Sequence, residues 1–211
     1  MNESPHKPRN IRMSITLAHI EPAIWRRIVV PSDITLAQLH EVIQSAMGWT
    51  RSHLHEFLIN ESRYGVPDED AWDSTDRVHP EGDVFLHDVL NHAEQTFTYV
   101  YDFGDDWHHE LVVEEILETE SDHRGAYCLG GERNCPPEDV GGPFSYLEFL
   151  KAIADPSHED HEHLSEWVGD DFDPETFDAV SVNEELEFMA AYWKNSKVEV
   201  RRFTDSSIRS A

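Results

Sequence analysis

The chain has 211 residues and a formal net charge of −27, with 43 acidic against 16 basic residues. This length and a hydrophobic content of 39% are enough to bury a core without disulfides or metal ions, which excludes an intrinsically disordered chain. So negative a protein repels phosphate groups, and direct binding of nucleic acid through a broad surface is therefore disfavoured.

The charge is distributed unevenly along the chain. Residues 194–211 hold five basic and two acidic residues, a local charge of +3, which leaves −30 for residues 1–193. We predict one folded domain over residues 1–193 and a basic, flexible tail over residues 194–211. The first residues lack an apolar signal core, no stretch reaches the roughly 18 apolar residues of a membrane span, and two cysteines are too few for a disulfide framework. These features predict a cytoplasmic protein without membrane contact.

The first elements in chain order are predicted to be a β-hairpin and a helix. Apolar and polar residues alternate over residues 11–17, which is the pattern of a half-buried strand, and residues 24–30 are predicted to pair with it. A helix follows, because Thr35 and Gln38 form a capping box and apolar residues then recur at helical spacing. Gly48 is predicted to end that helix.

Three further strands are predicted in the central part of the chain. The first covers residues 53–60, and an acidic loop over residues 64–83 and a short helix over residues 85–92 follow it. The other two cover residues 97–103 and 107–114 and are joined by a tight turn. The side chains expected to point inward from these two strands are Phe97, Tyr99, Tyr101, Phe103, Trp107, His109, Leu111 and Val113.

The rest of the chain is predicted to be mainly helical. An irregular loop over residues 119–142 holds both cysteines, and Pro143 suits the first turn of a helix that ends at Asp155. Further helices are predicted over residues 158–167 and after residue 181. Strands followed by helices predict an α+β fold, in which a mainly antiparallel sheet of about five strands is covered by helices and a C-terminal helical region packs on it.

Several segments together carry a resemblance to a known family: IWRRIVVPSDITLAQLHEVIQSAMGW, SHLHEF, YDFGDDWHHE, and CPPEDVGGP followed by DFDP. In this order they resemble the plasmid pRiA4b ORF-three-like family over residues 11–182. The resemblance implies a compact α+β unit found in plasmids, mobile elements and chromosomes, with no agreed biochemical activity. Some members carry the label of an insertion-sequence passenger protein of TnpR type, which implies a resolvase. The chain lacks the basic DNA-binding module and the arginine-flanked serine of a serine recombinase, so this activity is not expected.

A divalent cation site is one candidate for function. His53 and His55 are two residues apart on a predicted strand, so both rings are expected on one face. A third ligand could come from Asp102 or His109 if the strands that carry them are neighbours, and Asp105 adds a carboxylate to the same turn as Asp102. The alternatives are histidines hydrogen-bonded at the edge of the core and aspartates that satisfy the backbone of their own turn.

The segment CPPEDVGGP supplies the candidates for catalysis. Cys135 could act as a nucleophile if a histidine base lay within hydrogen-bond reach. Glu138 or Asp139 could serve as the base of a metal-assisted hydrolase. The alternatives are a structural thiol and an ordered loop that caps its own helix. Asp105 and Trp107, both in the YDFGDDWHHE segment, complete the set of candidate site residues.

Two functions of different classes follow from these observations. No complete set of nucleophile, base and orienting group and no nucleotide-binding loop is found in the sequence, which favours a non-catalytic binding or scaffold module with a protein partner, linked to plasmid or mobile-element biology. The alternative is a metal-dependent hydrolase with His53, His55, Asp102 and His109 as ligands. Convergence of these residues with Cys135 on one cleft would favour the enzyme.

Overall fold

One mixed sheet of eight strands forms the centre of the protein. The computed structural model describes residues 9–67, 77–118 and 125–208. The strands are β1 (Arg9–Leu17), β2 (Trp25–Pro31), β3 (His55–Ile59), β4 (Ser62–Gly65), β5 (Val78–Pro80), β6 (Thr96–Tyr101), β7 (Trp107–Glu118) and β8 (Tyr127–Glu132). The helices are α1 (Leu36–Met47), α2 (Leu86–Val89), α3 (Gly142–Ala154), α4 (His161–Val168) and α5 (Ala179–Ile208). The strand order across the sheet is β5-β4-β3-β6-β7-β1-β2-β8, and neighbouring strands are antiparallel except for the parallel pair β4 and β5.

The predicted α+β class is confirmed, but the strand count of about five is wrong. The additional strands β4 and β5 lie in or beside the predicted acidic loop, and β8 lies in the predicted irregular loop. These strands are short or rich in glycine, so their own sequences carry little alternation. They form because a neighbouring strand offers free backbone groups, which a local pattern does not reveal.

The alternating strand at the start of the chain becomes a central strand of the sheet. Its apolar residues Ile11, Met13, Ile15 and Leu17 are all buried. α1 begins at the predicted capping box, in which the backbone N–H of Gln38 donates to Oγ1 of Thr35 and the backbone N–H of Thr35 donates to Oε1 of Gln38. α1 and α5 pack against each other and against β2 and β8, so helices cover this face of the sheet. The core extends to Tyr146 and Phe149 of α3.

The hairpin of β6 and β7 places large aromatic residues in the core, as predicted. Tyr99 and Tyr101 of β6 and Trp107 of β7 are fully buried, and Tyr101 pairs directly with Trp107. Phe103 is an exception, because β6 ends at Tyr101 and Phe103 lies in the following turn with half of its surface exposed. Strand alternation therefore does not extend to that residue.

The helical half differs from the prediction mainly at element boundaries. α2 has only four residues, and α4 begins at His161, three residues later than predicted. α5 continues to Ile208 through most of the basic segment, whose flexibility stays a prediction, and residues 209–211 lie outside the described residues. In the described part of the chain, no helix combines the length and the apolar composition needed to cross a bilayer.

Candidate metal centre

Three connections meet at one end of the sheet. They are residues 48–54 between α1 and β3, residues 102–106 between β6 and β7, and residues 133–141 between β8 and α3. β3 pairs with β6 so that His55 lies opposite Tyr101, which places the start of β3 beside the end of β6. The backbone N–H of Asp102 donates to the carbonyl of Leu54 at 2.8 Å. Antiparallel register therefore brings the first two connections together.

The third connection is held against the other two by hydrogen bonds. The indole N–H of Trp49 donates to the carbonyl of Pro136 at 3.0 Å. The backbone N–H of Gly141 donates to Oδ2 of Asp105 at 2.9 Å. Gly142 lies so close to the 102–106 turn that a Cβ atom would overlap the carbonyl oxygen of Asp105. Close approach of this connection thus requires glycine there.

His53, Asp102 and Asp139 converge where these connections meet. Nδ1 of His53 lies 3.6 Å from Oδ2 of Asp102, and Nε2 lies 3.3 Å from Oδ1 of Asp139. One ligand atom from each of the three residues can be chosen so that all lie within 4.8 Å of one another. Nε2 of His53 is buried and has no hydrogen-bond partner among the described residues. A buried imidazole nitrogen beside two carboxylates is suited to bind a cation.

Glu138 adds a third carboxylate, whose two oxygens have different surroundings. Oε1 accepts hydrogen bonds from the backbone N–H and the hydroxyl of Thr50, at 2.8 and 3.0 Å, and from the hydroxyl of Tyr101 at 3.0 Å. Oε2 is 3.3 Å from the Tyr101 hydroxyl and 3.8 Å from Nε2 of His53. The side chain is thus fixed through Oε1, while Oε2 is directed at the cluster.

The ligand set fits a divalent cation with an open coordination position. Three protein ligands leave room for water in a tetrahedral or larger coordination shell. One imidazole with two carboxylates suits Zn²⁺, Mn²⁺ or Fe²⁺ better than a soft ion that prefers thiolates. The Asp139 side chain is 73% exposed, so the open side of the cluster faces solvent.

The backbone at the cluster is unusual for residues other than glycine. Asp102, Asp106 and Asp139 have φ of 56°, 58° and 59°, in the left-handed region. Aspartate tolerates this region better than most residues, because its short side chain can bond the local backbone. Asp102 does so, since its Oδ1 accepts from the backbone N–H of Gly104 at 2.9 Å. Its Oδ2 remains directed toward His53.

His55 lies outside the cluster, contrary to the expectation that it shares a face with His53. β3 begins at His55, so His53 belongs to the preceding connection, where strand alternation does not apply. His55 is paired with Glu81, with Nε2 2.8 Å from Oε2, and its ring stacks on His40 at a centroid distance of 3.5 Å. His40 in turn bonds the Tyr99 hydroxyl through Nδ1. This is a structural network of a kind that histidine supplies at the edge of a core.

His109 is also outside the cluster, in the core beneath it. It points inward as its parity predicts and is fully buried, with Nδ1 3.2 Å from the carbonyl of Tyr99. Burial lowers the pKa of His109 to about 3, although that backbone hydrogen bond favours the charged form. Burial likewise lowers the pKa of His40 to about 3, with a further contribution from the neighbouring His55.

Acid should therefore destabilise the protein through these neutral histidines. In the unfolded chain these histidines have a pKa of about 6.5, whereas in the folded protein the pKa is about 3. Between these two values the unfolded chain binds more protons than the folded one, so the free energy of unfolding falls as the pH is lowered from about 6.5 to about 3. Each such histidine contributes a slope of at most about 1.4 kcal/mol per pH unit. We expect His109→Asn to reduce the dependence of the free energy of unfolding on pH, measured by urea denaturation from about pH 4 to pH 6, because asparagine takes up no proton in this range. The asparagine amide can still donate to the carbonyl of Tyr99, which keeps the variant close to the wild-type structure.

The matched control is His92→Asn, at an exposed histidine. Its replacement leaves the buried histidines in place, so the slope should stay close to that of the wild-type protein. Equal slopes for all three proteins would show that burial of a neutral His109 does not set the acid sensitivity.

Cys135 lies in the core next to Arg26 rather than at the cluster. Burial raises the pKa of the Cys135 thiol well above its usual value, even though Arg26 acts in the opposite direction. The thiol is thus protonated and inaccessible at neutral pH, which does not suit a nucleophile. Arg26 is itself buried and donates to the carbonyls of Ala46 and Glu132. Of the remaining candidates, Asp105 anchors Gly141 and Trp107 is buried beneath the turn.

Sequence reasoning missed the residues that hold Glu138 in place and the cleft beside the cluster. Thr50 and Tyr101 carry no local signal for this role, because the contact depends on how the connection 133–141 folds back over the sheet. A cleft lined by Asp139 and by residues of α3 and α4 opens next to the cluster. The predicted helices indicate its walls, but not that they face each other across a gap.

The protein is thus an α+β protein with a helix-covered mixed sheet and a cluster of one histidine and several carboxylates at one end of that sheet. The model of the family described as "Plasmid pRiA4b ORF-3-like protein" matches residues 9–181. The chain belongs to this family. It is 41% identical over 184 residues to the uncharacterized protein y4hQ of Sinorhizobium fredii, covering 87% of this chain and 93% of that protein. It also resembles the crystal structure of a protein of unknown function from Methanosarcina mazei Go1, with a TM-score of 0.72, 35% identity, and coverage of 82% of this chain and 97% of that one.

Proposed function

We propose that the protein is a metal-dependent hydrolase whose divalent cation is bound by His53, Asp102 and Asp139, with Glu138 as the base. The observation that carries this proposal is the convergence of these side chains from three separate connections, with Nε2 of His53 buried and without a hydrogen-bond partner in the described structure. Each connection is held by hydrogen bonds to another, so the geometry is preorganised.

The electrostatics of the cluster support a cation. Oxygen atoms of three carboxylates lie 3.3–3.8 Å from one imidazole ring. Ligand oxygens of Asp102 and Asp139 lie within 4.8 Å of each other, and carboxylates so close repel one another. A divalent cation offsets two negative charges and satisfies the unpartnered nitrogen at the same time.

The chain's own residues then have distinct roles in hydrolysis. A bound divalent cation makes a coordinated water more acidic and polarises the electrophile of the substrate. Oε2 of Glu138 is placed to accept the proton that the attacking water loses and to return it to the leaving group. Thr50 and Tyr101 hold Oε1, which keeps the carboxylate in position through the reaction.

A partner-binding or scaffold module, linked to plasmid or mobile-element biology, is the second candidate. Phe188 and Tyr192 are one helical turn apart on α5, and both side chains are largely exposed. Exposed aromatic residues on a helix are typical of a protein interface. Cys128 and Cys135 are free thiols, which suits the reducing cytoplasm, so the partner is expected there. This second candidate requires neither a cation nor Glu138.

Metal binding separates the two candidates. Protein purified without an affinity tag is expected to contain close to one equivalent of a transition metal, and apoprotein should bind added Zn²⁺ or Mn²⁺ with the same stoichiometry in isothermal titration calorimetry. His53→Ala should weaken binding by about 100-fold and Asp139→Asn by about tenfold, because each removes a ligand. The exposed Asp139 side chain makes the second variant a mild structural change.

His92→Ala, at an exposed histidine away from the cluster, is the control and should bind like the wild-type protein. An apoprotein that takes up no metal, or one that binds equally well without His53, would remove the hydrolase proposal. The partner-binding candidate would then remain.

A further inference from the structure

A cleft of about 600 Å³ lies between α3 and α4, beside the proposed cation site. Asp139 belongs to both, since it lines the cleft and its Oδ1 lies 3.3 Å from His53. A volume of this size holds a segment of a few residues or a molecule of similar size. The cleft is therefore placed to position a substrate against the cation.

Aromatic rings form two walls and part of the floor of the cleft. Phe144, on the first turn of α3, is 77% exposed, and Trp167 of α4 is 46% exposed. Phe149 is buried between them and packs edge to face against Trp167, with ring centroids 5.8 Å apart. These residues offer an apolar surface and the faces of π-systems to an occupant.

Apart from two histidines, the titratable side chains that line the cleft are acidic. Among the described residues that line it, four are carboxylates and none is lysine or arginine; the four are Asp139, Glu148, Glu159 and Asp160. Glu148 is paired with Lys151, whose Nζ lies 2.7 Å from Oε1. The other three carboxylates share the cleft with His158 and His163, and Nδ1 of His158 lies 4.0 Å from Oδ2 of Asp160. Carboxylates beside exposed aromatic faces attract a cation that carries apolar surface, and they repel phosphates.

We propose that this cleft binds a peptide segment in which an arginine or lysine lies next to an apolar residue, and that this segment is the substrate. The basic side chain would contact Trp167 and the carboxylates of Glu159 and Asp160, which directly precede α4, and the apolar one would pack on Phe144 and Phe149. This assignment of substrate class rests on the proposed hydrolase function, whereas the cleft can bind the peptide in the absence of the metal.

The reaction is then hydrolysis of a peptide bond held next to Asp139. The oxygen of water bonds to the carbonyl carbon and the bond from carbon to nitrogen breaks. Glu138 takes one proton from the water and delivers it to the departing amine, so the products are a carboxylic acid and an amine. No oxidant, reductant or further co-reactant is needed.

Two blocked tripeptides test the binding step, acetyl-Phe-Arg-Phe-amide and the same peptide with neutral citrulline in place of arginine. Binding is measured by isothermal titration calorimetry and by the change in tryptophan fluorescence. We expect the arginine peptide to bind at least about tenfold more tightly than the citrulline peptide. We also expect its affinity to fall as salt is raised from about 50 to 500 mM, because screening weakens the attraction.

Variants on the two walls locate the binding site. Asp160→Asn should weaken binding of the arginine peptide several-fold. Glu166→Gln should not, because Glu166 lies on α4, which Asp160 directly precedes, and has the same charge but does not line the cleft. Phe144→Ser should weaken both peptides, and its exposure makes it a mild structural change. His53→Ala should keep peptide binding while it loses the cation.

Equal affinity for the two peptides, or equal effects of Asp160→Asn and Glu166→Gln, would overturn this inference even in a protein that binds metal. Conversely, tight binding of the arginine peptide by wild-type protein that takes up no metal would overturn the hydrolase proposal and its assignment of the peptide as substrate, and would leave the cleft as a peptide-binding site.

Discussion

Replacement of Trp107 by alanine is expected to lower the free energy of unfolding by about 3–5 kcal/mol, the usual cost of deleting a large buried aromatic side chain. Trp107 is fully buried at the start of β7, with its ring centroid 5.9 Å from that of Trp49 and 6.4 Å from that of Tyr146. Its removal would leave a cavity between the 48–54 connection, the sheet and α3. Urea denaturation should show a lower midpoint with an unchanged slope.

Phe188→Ala is the control for this substitution. Phe188 is an aromatic residue on α5 that is largely exposed, so its loss should cost less than about 1 kcal/mol. A loss for Trp107→Ala no larger than that of the control would mean that the end of the sheet beneath the cation site is not tightly packed.

Gly142→Ala should affect both stability and the proposed cation site. Gly142 has φ of +83°, and an added Cβ would overlap the carbonyl oxygen of Asp105. The unfavourable backbone and the overlap together should cost about 2–4 kcal/mol. The connection 133–141 would also move away from the 102–106 turn, which separates Asp139 from Asp102. We expect cation affinity to fall about tenfold in calorimetric titrations of the folded variant.

Gly82→Ala is the matched control. No atom lies within 4 Å of the position that its Cβ would occupy, and its φ lies outside the left-handed region. Stability and cation binding should both stay close to those of the wild-type protein. If Gly142→Ala bound the cation with unchanged affinity, the close approach at Asp105 would not be what holds the two aspartates together.

The parts of the fold that could be predicted are those whose local sequence carries a complete signal. The alternation in β1, the capping box of α1 and the inward parity of Trp107, His109, Leu111 and Val113 all appear in the structure. Each of them depends on the spacing of side chains within one element, and burial of one face then stabilises that element. The strands β4, β5 and β8 form by pairing with a strand that is a neighbour in space, so they could not be predicted this way.

The candidate site was predictable only in its chemical groups. His53, Asp102 and Asp139 were all among the candidates, but they lie in connections, where no periodicity fixes the direction of a side chain. His55 and His109 were assigned to the same site from strand parity, which applies to both of them but not to His53. Their actual partners, Glu81 and the carbonyl of Tyr99, follow from tertiary packing. The order of the strands in the sheet would have been needed to separate His55 and His109 from the three residues of the cluster.

Asp139 is shared between the cation site and the cleft, and this sharing makes the two occupants thermodynamically interdependent. An occupant of the cleft that draws this carboxylate toward itself takes negative charge from the cation, whereas one that leaves it in place does not. Whatever factor the first occupant imposes on the affinity of the second, the second imposes on the first, because the free-energy cycle that joins the four states must close.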